Sequence, residues 1–433
     1  MKPVIRSKYD AAILALALPA LATLAADPLV SLVDTAFVGR LGTTPLAALG
    51  VNAALFNFSF FIFTFLAYGA TPLIGNALGR GDTNSAGRTA LQALLLALLL
   101  GISVSVLMLV FARPLLGMMG ASEALVPPAL QYLQIRALAG PAILLITAAN
   151  GIFRGLQDTR TPLFVTLGVS FINLVLDPLF IFGFGWGIRG AALATILAQY
   201  TGALWFVGLL LKNTALPLSV SGLSLVSFLP FLKIGWELVL RSLSLTGTFT
   251  LATAIVTRLG ILDLAVHQVV FQLWLFLALV VDALAIAGQA LVSRYLGEEN
   301  VAAATAVANR LILLSFGYGT LLGLVFWGLE PYLPGLFTSD PEVILNVKRI
   351  YGFVAFTQTL NAVNFVLDGI FIGSSKFKLL AIAMLVSALI TCACLLLVLP
   401  LGWGLLGVWW SITGFMVLRV VMLGGWYWRR GLG

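Results

Sequence analysis

The segment Val38-Gly39-Arg40-Leu41-Gly42 recurs 218 residues later as Val256-Thr257-Arg258-Leu259-Gly260. Further matches keep this offset: Leu46-Ala47 with Leu264-Ala265, Leu78-Gly79 with Leu296-Gly297, and Gly151-Ile152-Phe153 with Gly369-Ile370-Phe371. Chance similarity between apolar stretches would not hold one register from Val38 to Phe153. The repeat therefore predicts two halves with the same internal structure.

The composition around this repeat is that of a membrane protein. The 433 residues are 61% hydrophobic and 9% charged, whereas soluble domains have about 45–50% apolar and about 25% charged residues. Twelve apolar runs are each long enough for a transmembrane helix, which takes about 20 residues. The predicted spans are 11–38, 46–77, 87–112, 124–150, 161–184, 190–211, 229–257, 263–293, 302–328, 342–371, 378–400 and 404–428.

Six helices in each half is an even number, so both halves start on the same side of the membrane. We predict an all-α integral membrane protein with twelve transmembrane helices in two six-helix lobes related by a pseudo-two-fold axis along the membrane normal. The N-terminal lobe is expected at 1–215, the inter-lobe loop at 216–228 and the C-terminal lobe at 229–433. Lysines and arginines at the termini and in even-numbered connections predict cytoplasmic termini, and we expect a multi-pass protein of the plasma (inner) membrane.

Several functional classes are excluded by what the sequence lacks. The net charge is +8, but the basic residues form no stripe with interleaved aromatics, so we expect no nucleic-acid partner. The sequence contains no phosphate-binding loop, zinc motif or nucleophile elbow. We therefore expect no enzyme, no cofactor, no metal site and no direct use of ATP.

Carboxylates inside apolar spans are the informative residues, because an Asp at the bilayer centre costs about 2.5–3.5 kcal/mol. Asn173 and Asp177 are four residues apart, on one face of the fifth helix. Thr195, in the sixth helix, lies at a similar depth if the two helices form a hairpin. Together with Asp34 they predict a polar cluster inside the N-terminal half. The cluster belongs to one half only, since the repeat aligns Asp34 with Ala252.

Two paired aspartates in such a cluster suit proton coupling. Burial and like charge both disfavour the ionised form of Asp34 or Asp177, so the pair would hold a proton and release it on exposure to water. A static hydrogen-bond network with one permanent proton is the alternative. Pro19 and Pro28 interrupt the first helix, and a proline either permits bending on protonation or shapes a static helix.

Three further aspartates are candidates for lining a substrate cavity and attracting cations, with a structural role as the alternative. They are Asp27, Asp282 and Asp368.

The stretch Val33-Asp34-Thr35-Ala36-Phe37-Val38-Gly39-Arg40-Leu41-Gly42 resembles the first-helix signature of the multidrug and toxic compound extrusion (MATE) family. Asn173-Leu174-Val175-Leu176-Asp177-Pro178 and Gly185-Trp186-Gly187-Ile188-Arg189-Gly190-Ala191-Ala192 look like its fifth and sixth helices. The resemblance covers nearly the whole chain and is closest to the DinF-like branch. It implies two six-helix lobes, a V-shaped cavity, and antiport of organic compounds against H+ or Na+.

The resemblance also implies residue roles. It assigns ion coupling to Asp34, Asn173, Asp177 and Thr195, helix bending to Pro19, and the acidic position of helix 10 to Asp368. Other branches place a sodium-linked Glu in helix 7, but 242–256 contains no carboxylate here. This departure favours protons over sodium.

The favoured function is a secondary active antiporter that exports small amphipathic or cationic organic compounds in exchange for H+ by alternating access. A Na+-coupled exporter and a lipid-linked precursor flippase of related fold are the alternatives, and a membrane scaffold or receptor is a third class. A flippase would need several cations in its cavity, whereas the intramembrane charges here are mainly acidic. Expected partners are small organic substrates, H+ or Na+ and membrane lipids, and a monomer is expected.

Overall fold

A computed structural model of the chain describes residues 7–214, 216–218, 228–337 and 340–432, without the side chain of Asp27. Every described secondary-structure element is helical. The chain forms two compact units, which we name the N-terminal unit (18–235) and the C-terminal unit (1–17 with 236–433). Most of the predicted inter-lobe loop lies outside the described residues, and the predicted lobe boundaries stay a prediction.

Long apolar helices account for most of both halves of the sequence. The first half contains α1 (Asp10–Gly39), α2 (Thr43–Phe61), α3 (Phe65–Gly79), α4 (Thr83–Val110), α5 (Ala112–Met118), α6 (Val126–Arg136), α7 (Gly140–Gly155), α8 (Arg160–Pro178) and α9 (Gly187–Lys212). The second half contains α10 (Leu229–Leu259), α11 (Ile261–Gly297), α12 (Val301–Gly328), α13 (Leu333–Phe337), α14 (Pro341–Phe356), α15 (Gln358–Gly373), α16 (Phe377–Val398) and α17 (Gly404–Arg430). In the described part of the chain, 11 helical spans are long and apolar enough to cross a membrane, or 12 if α14 and α15 form one span. The predicted all-α membrane fold is confirmed.

The backbone takes the left-handed conformation at equivalent positions of the two halves. This conformation favours glycine, but Gln157, Glu299 and Ser375 also adopt it. Three pairs are 218 residues apart, with φ in degrees: Gly42 (121) and Gly260 (147), Gly81 (75) and Glu299 (56), and Gln157 (60) and Ser375 (57). Two further pairs are 217 residues apart: Gly185 (69) and Gly402 (66), and Gly187 (55) and Gly404 (59). The sequence repeat is therefore also a repeat of turn geometry.

Close contact between helix backbones is repeated in the same way. A Cβ added to Gly151 of α7 would lie 2.5 Å from the carbonyl oxygen of Ala67 in α3. The equivalent Gly369 of α15 meets Ala285 of α11 at 2.4 Å. Small residues at such contacts let helices pack closely in a membrane, where lipid tails are as apolar as the side chains.

One pair of glycines tests this packing directly. A Cβ at Gly319 of α12 would lie 2.7 Å from Ala362 Cβ and from the Gln358 carbonyl oxygen, whereas Gly317 has nothing within 4 Å. We expect Gly319→Ala to lower the free energy of unfolding by about 1–3 kcal/mol through overpacking. Gly317→Ala is expected to be neutral or to stabilise by up to about 1 kcal/mol. Thermal unfolding in detergent, followed by tryptophan fluorescence, measures both, and equal shifts would contradict the packing.

The second, fourth and tenth predicted spans each contain two helices, although the sequence predicts one unbroken helix for each. A 3-10 turn at Ile62–Thr64 separates α2 from α3. A 3-10 turn at Ala137–Ala139 separates α6 from α7, and α14 and α15 are bent by 45°. At the bend between α14 and α15, the Thr357 hydroxyl donates to the carbonyl oxygen of Phe353, four residues earlier. Threonine hydroxyls that bond in this way compete with the backbone and bend helices.

Candidate functional site

Helix α8 separates an apolar face from a polar one. Phe171 and Leu174 are 66% and 45% exposed, as suits contact with lipid. Asn173 and Asp177, one helical turn apart, are buried at 2% and 0% exposure. The spacing of four residues therefore places both polar groups on the inner face of the N-terminal unit.

The amide of Asn173 connects α8 with α9. Its Nδ2 atom lies 3.4 Å from Asp177 Oδ1 and 3.4 Å from Thr195 Oγ1. The Thr195 hydroxyl donates to the carbonyl oxygen of Ala191 at 2.8 Å, so it accepts from the amide. The predicted hairpin of the fifth and sixth helices thus brings these side chains together.

Asp34 of α1 completes the cluster. Its carboxyl group lies within hydrogen-bonding reach of the Asp177 carboxyl group. Three buried oxygen atoms here accept no hydrogen bond from any described residue: Asp34 Oδ1, Asp177 Oδ2 and Asn173 Oδ1. Ionised carboxylates are acceptors only, whereas a protonated carboxyl group donates. The cluster therefore has more hydrogen-bond acceptors than donors, and a bound proton or cation would give the unpaired oxygens a partner.

A cavity of about 730 Å³ adjoins this cluster inside the N-terminal unit, and Asp34 lies in its wall. Small-molecule sites typically occupy about 300–1,000 Å³. The wall also includes many neutral polar side chains, among them Ser31, Thr35, Asn150, Asn173, Thr195 and Gln199. A small molecule in this cavity would lie beside Asp34, Asn173 and Thr195.

Arg136, at the end of α6, also lines the cavity, although it is not among the candidate residues predicted from the sequence. Its Nη1 atom donates to Gln199 Oε1 at 2.8 Å, and its guanidinium carbon lies 5.0 Å from the centroid of the Phe56 ring. The signal was present, since an arginine within a transmembrane span is by itself a functional candidate. The expectation of mainly acidic intramembrane charges is therefore corrected, because arginines line or pack inside both units.

Asp368 of α15 lies in a buried ion cluster of the C-terminal unit. Its Oδ2 atom accepts from Arg241 Nη2 and from Arg419 Nη2, both at 2.6 Å, and Asp368 and Arg419 are 3% and 2% exposed. Two guanidinium groups oppose the attraction of a cation by this carboxylate. The geometry therefore favours the structural alternative for Asp368 over the predicted cavity role.

The remaining candidate residues are Asp282, Asp27 and Pro19. Asp282 lies half-buried on α11, with an interaction partner of its own. The side chain of Asp27 lies outside the described residues. Pro19 lies inside the continuous helix α1, and its carbonyl oxygen accepts from the Thr23 hydroxyl at 2.9 Å. A bending role for Pro19 stays a prediction.

Comparison with known proteins shows which protein family shares this architecture. The MatE family model matches residues 19–179 and 238–396, once in each half of the repeat. Protein DETOXIFICATION 43 of Arabidopsis thaliana is 37% identical, over 94% of this chain and 88% of that protein. DNA damage-inducible protein F of Escherichia coli (strain K12) is 30% identical, over 97% of this chain and 92% of that protein.

A solved structure shares the fold. A crystal structure of MATE in the bent conformation superposes with a TM-score of 0.91, over 98% of this chain and 96% of that chain, at 23% identity. The two matches of the family model and the two relatives agree with the repeat, the helical architecture and the resemblance of the first, fifth and sixth helices. The chain therefore belongs to the MatE family of multidrug and toxic compound extrusion transporters.

Proposed function

We propose that the chain is a secondary antiporter that exports small organic compounds in exchange for protons, with the Asp34–Asp177 pair as the proton-binding site. The observation that carries the proposal is the contact between these two carboxyl groups beside a cavity, with an oxygen of each lacking a donor among the described residues. A proton placed between the groups turns one of them into a donor for the other. Thr195 and Asn173 orient the acceptor side of the pair.

Competition between proton and substrate for the Asp34–Asp177 pair couples the transport of one to that of the other. With both carboxyl groups ionised, the pair attracts a cationic group of a substrate in the adjoining cavity. Protonation removes this attraction, so proton binding from outside favours substrate release. Reciprocal linkage requires that substrate binding likewise weakens proton binding.

Geometry favours the proton over sodium as the coupling ion. The carboxyl groups of Asp34 and Asp177 already lie within hydrogen-bonding reach of each other. One proton shared between them makes one group a donor to the other and needs no further ligand. A sodium-coupled exporter that uses the same oxygens is the alternative, and the experiment below separates the two ions.

We further propose the plasma (inner) membrane as the site of action, with both termini in the cytoplasm. The basic residues at the ends of the described chain, Lys8, Arg429 and Arg430, support this orientation.

The direct test is export of ethidium, a permanent fluorescent cation, from proteoliposomes that carry the wild-type protein. An imposed proton gradient is compared with an imposed sodium gradient of equal size. We expect the proton gradient alone to drive ethidium movement above the rate of protein-free liposomes. Movement driven only by sodium would overturn the proton assignment, and no movement under either gradient, with folded protein, would overturn the antiport proposal.

A further inference from the structure

The cavity of the N-terminal unit carries charges of both signs, which points to a substrate with charges of both signs. The negative side is the Asp34–Asp177 pair, and the positive side is Arg136. Asp34 and Arg136 interact electrostatically, but among the described residues no carboxylate oxygen lies within the 4.0 Å that defines an ion pair with Arg136. Opposite charges held apart in this way leave room for a ligand between them.

The contacts of Arg136 fix the position of its guanidinium group but involve only some of its N–H donors. Arginine has five N–H donors, and the described partners are Gln199 and the hydroxyl group of Tyr132. The ring of Phe56 covers one face of the guanidinium group and is itself stacked on Phe60 at 5.7 Å. A guanidinium held by a ring and an amide is preorganised to bind a carboxylate or phosphate with its remaining donors.

We infer that the exported compound is a zwitterion, with its cationic group at the Asp34–Asp177 pair and its carboxylate or phosphate at Arg136. The inference rests on the proposed antiport at the same site. When the cationic group of a zwitterion replaces the proton at the pair, the anionic group of the same molecule accepts from the remaining donors of Arg136. A simple cation would leave those donors without an acceptor in a poorly solvated cavity.

A purely anionic substrate fits the coupling less well. An anion at Arg136 would be repelled by the ionised aspartate pair and favoured by its protonation. Proton and substrate would then bind together, which gives co-transport in one direction in place of exchange. A cationic group on the same molecule restores the competition with protons.

Three fluorescent probes separate these charge types. They are Nε-dansyl-lysine, which is a zwitterion; its methyl ester, which keeps only the ammonium group; and its Nα-acetyl derivative, which keeps only the carboxylate. Equilibrium binding to the full-length protein in lipid nanodiscs is followed by dansyl fluorescence, at a slightly acidic pH where the amines are protonated. Binding in nanodiscs needs no proton gradient.

For the wild type, we expect the zwitterion to bind at least about tenfold more tightly than either derivative, a difference of about 1.4 kcal/mol. Arg136→Gln should remove this preference over the ester, and Arg136→Lys should retain part of it. Arg113→Gln, which changes an exposed arginine of α5, is the matched control and should retain all of it.

Equal affinities of the wild type for the three probes, or tightest binding of the acetyl derivative, would overturn the inference. So would a zwitterion preference that Arg136→Gln leaves unchanged. Either result with proton-driven ethidium export intact would leave the antiport proposal standing. Conversely, a zwitterion preference that depends on Arg136, without proton-driven export, would support the substrate class and refute the coupling ion.

Discussion

Replacing Asp34 with Asn is expected to reduce proton-driven ethidium export to the rate of protein-free liposomes. The amide has the shape of the carboxyl group but binds no proton at any relevant pH. It also offers Asp177 a permanent donor, which mimics the protonated pair. The initial rate under an imposed pH gradient, normalised to the amount of reconstituted protein, is the measurement.

The control for this variant is a second exchange of carboxylate for amide, at an exposed position of the C-terminal unit. Glu298→Gln breaks the exposed ion pair of Glu298 with Arg294, whose atoms Oε1 and Nε are 2.9 Å apart. Its export rate should match the wild type. Substantial proton-driven export by Asp34→Asn would mean that Asp34 is not the coupling residue.

Replacing Asp368 with Asn is expected to lower the free energy of unfolding by about 3–5 kcal/mol, because two buried arginines lose their shared counter-charge. Arg241 and Arg419 both donate to the same carboxylate oxygen. The thermal unfolding midpoint in detergent reports the loss. Glu298→Gln breaks an exposed pair and should cost less than about 1 kcal/mol.

A double-mutant cycle separates this ion pairing from packing. Asp368→Leu with Arg419→Leu removes both members of one pair, so the double variant should be less destabilised than the sum of the single variants. Additive losses, or an Asp368→Asn protein as stable as the wild type, would show that the cluster does not hold the C-terminal unit together.

The parts of this structure that follow from local spacing could be predicted from the sequence. Composition and the constant offset of the repeat predict the helical membrane fold, and the four-residue spacing of Asn173 and Asp177 predicts their common inner face. The bend between α14 and α15 was missed, and at this bend a single threonine hydroxyl, that of Thr357, competes with the backbone. The length of an apolar run in the sequence gives no information about such a hydrogen bond.

Side-chain pairs distant in sequence account for the rest. Asp368 meets Arg241 and Arg419 across 127 and 51 residues, and spacing alone does not predict which charges face each other. Arg136 was missed for a simpler reason. Basic residues between the spans indicate topology, but Arg136 lies within the fourth predicted span, where this rule gives it no role.

If substrate and proton compete for the Asp34–Asp177 pair, substrate binding must release protons. Ethidium is added to purified protein in weakly buffered solution that contains a pH-sensitive dye. We expect release of about one proton for each ethidium bound by the wild type, and none for Asp34→Asn. Ethidium binding without proton release by the wild type, or release that persists in Asp34→Asn, would contradict this competition.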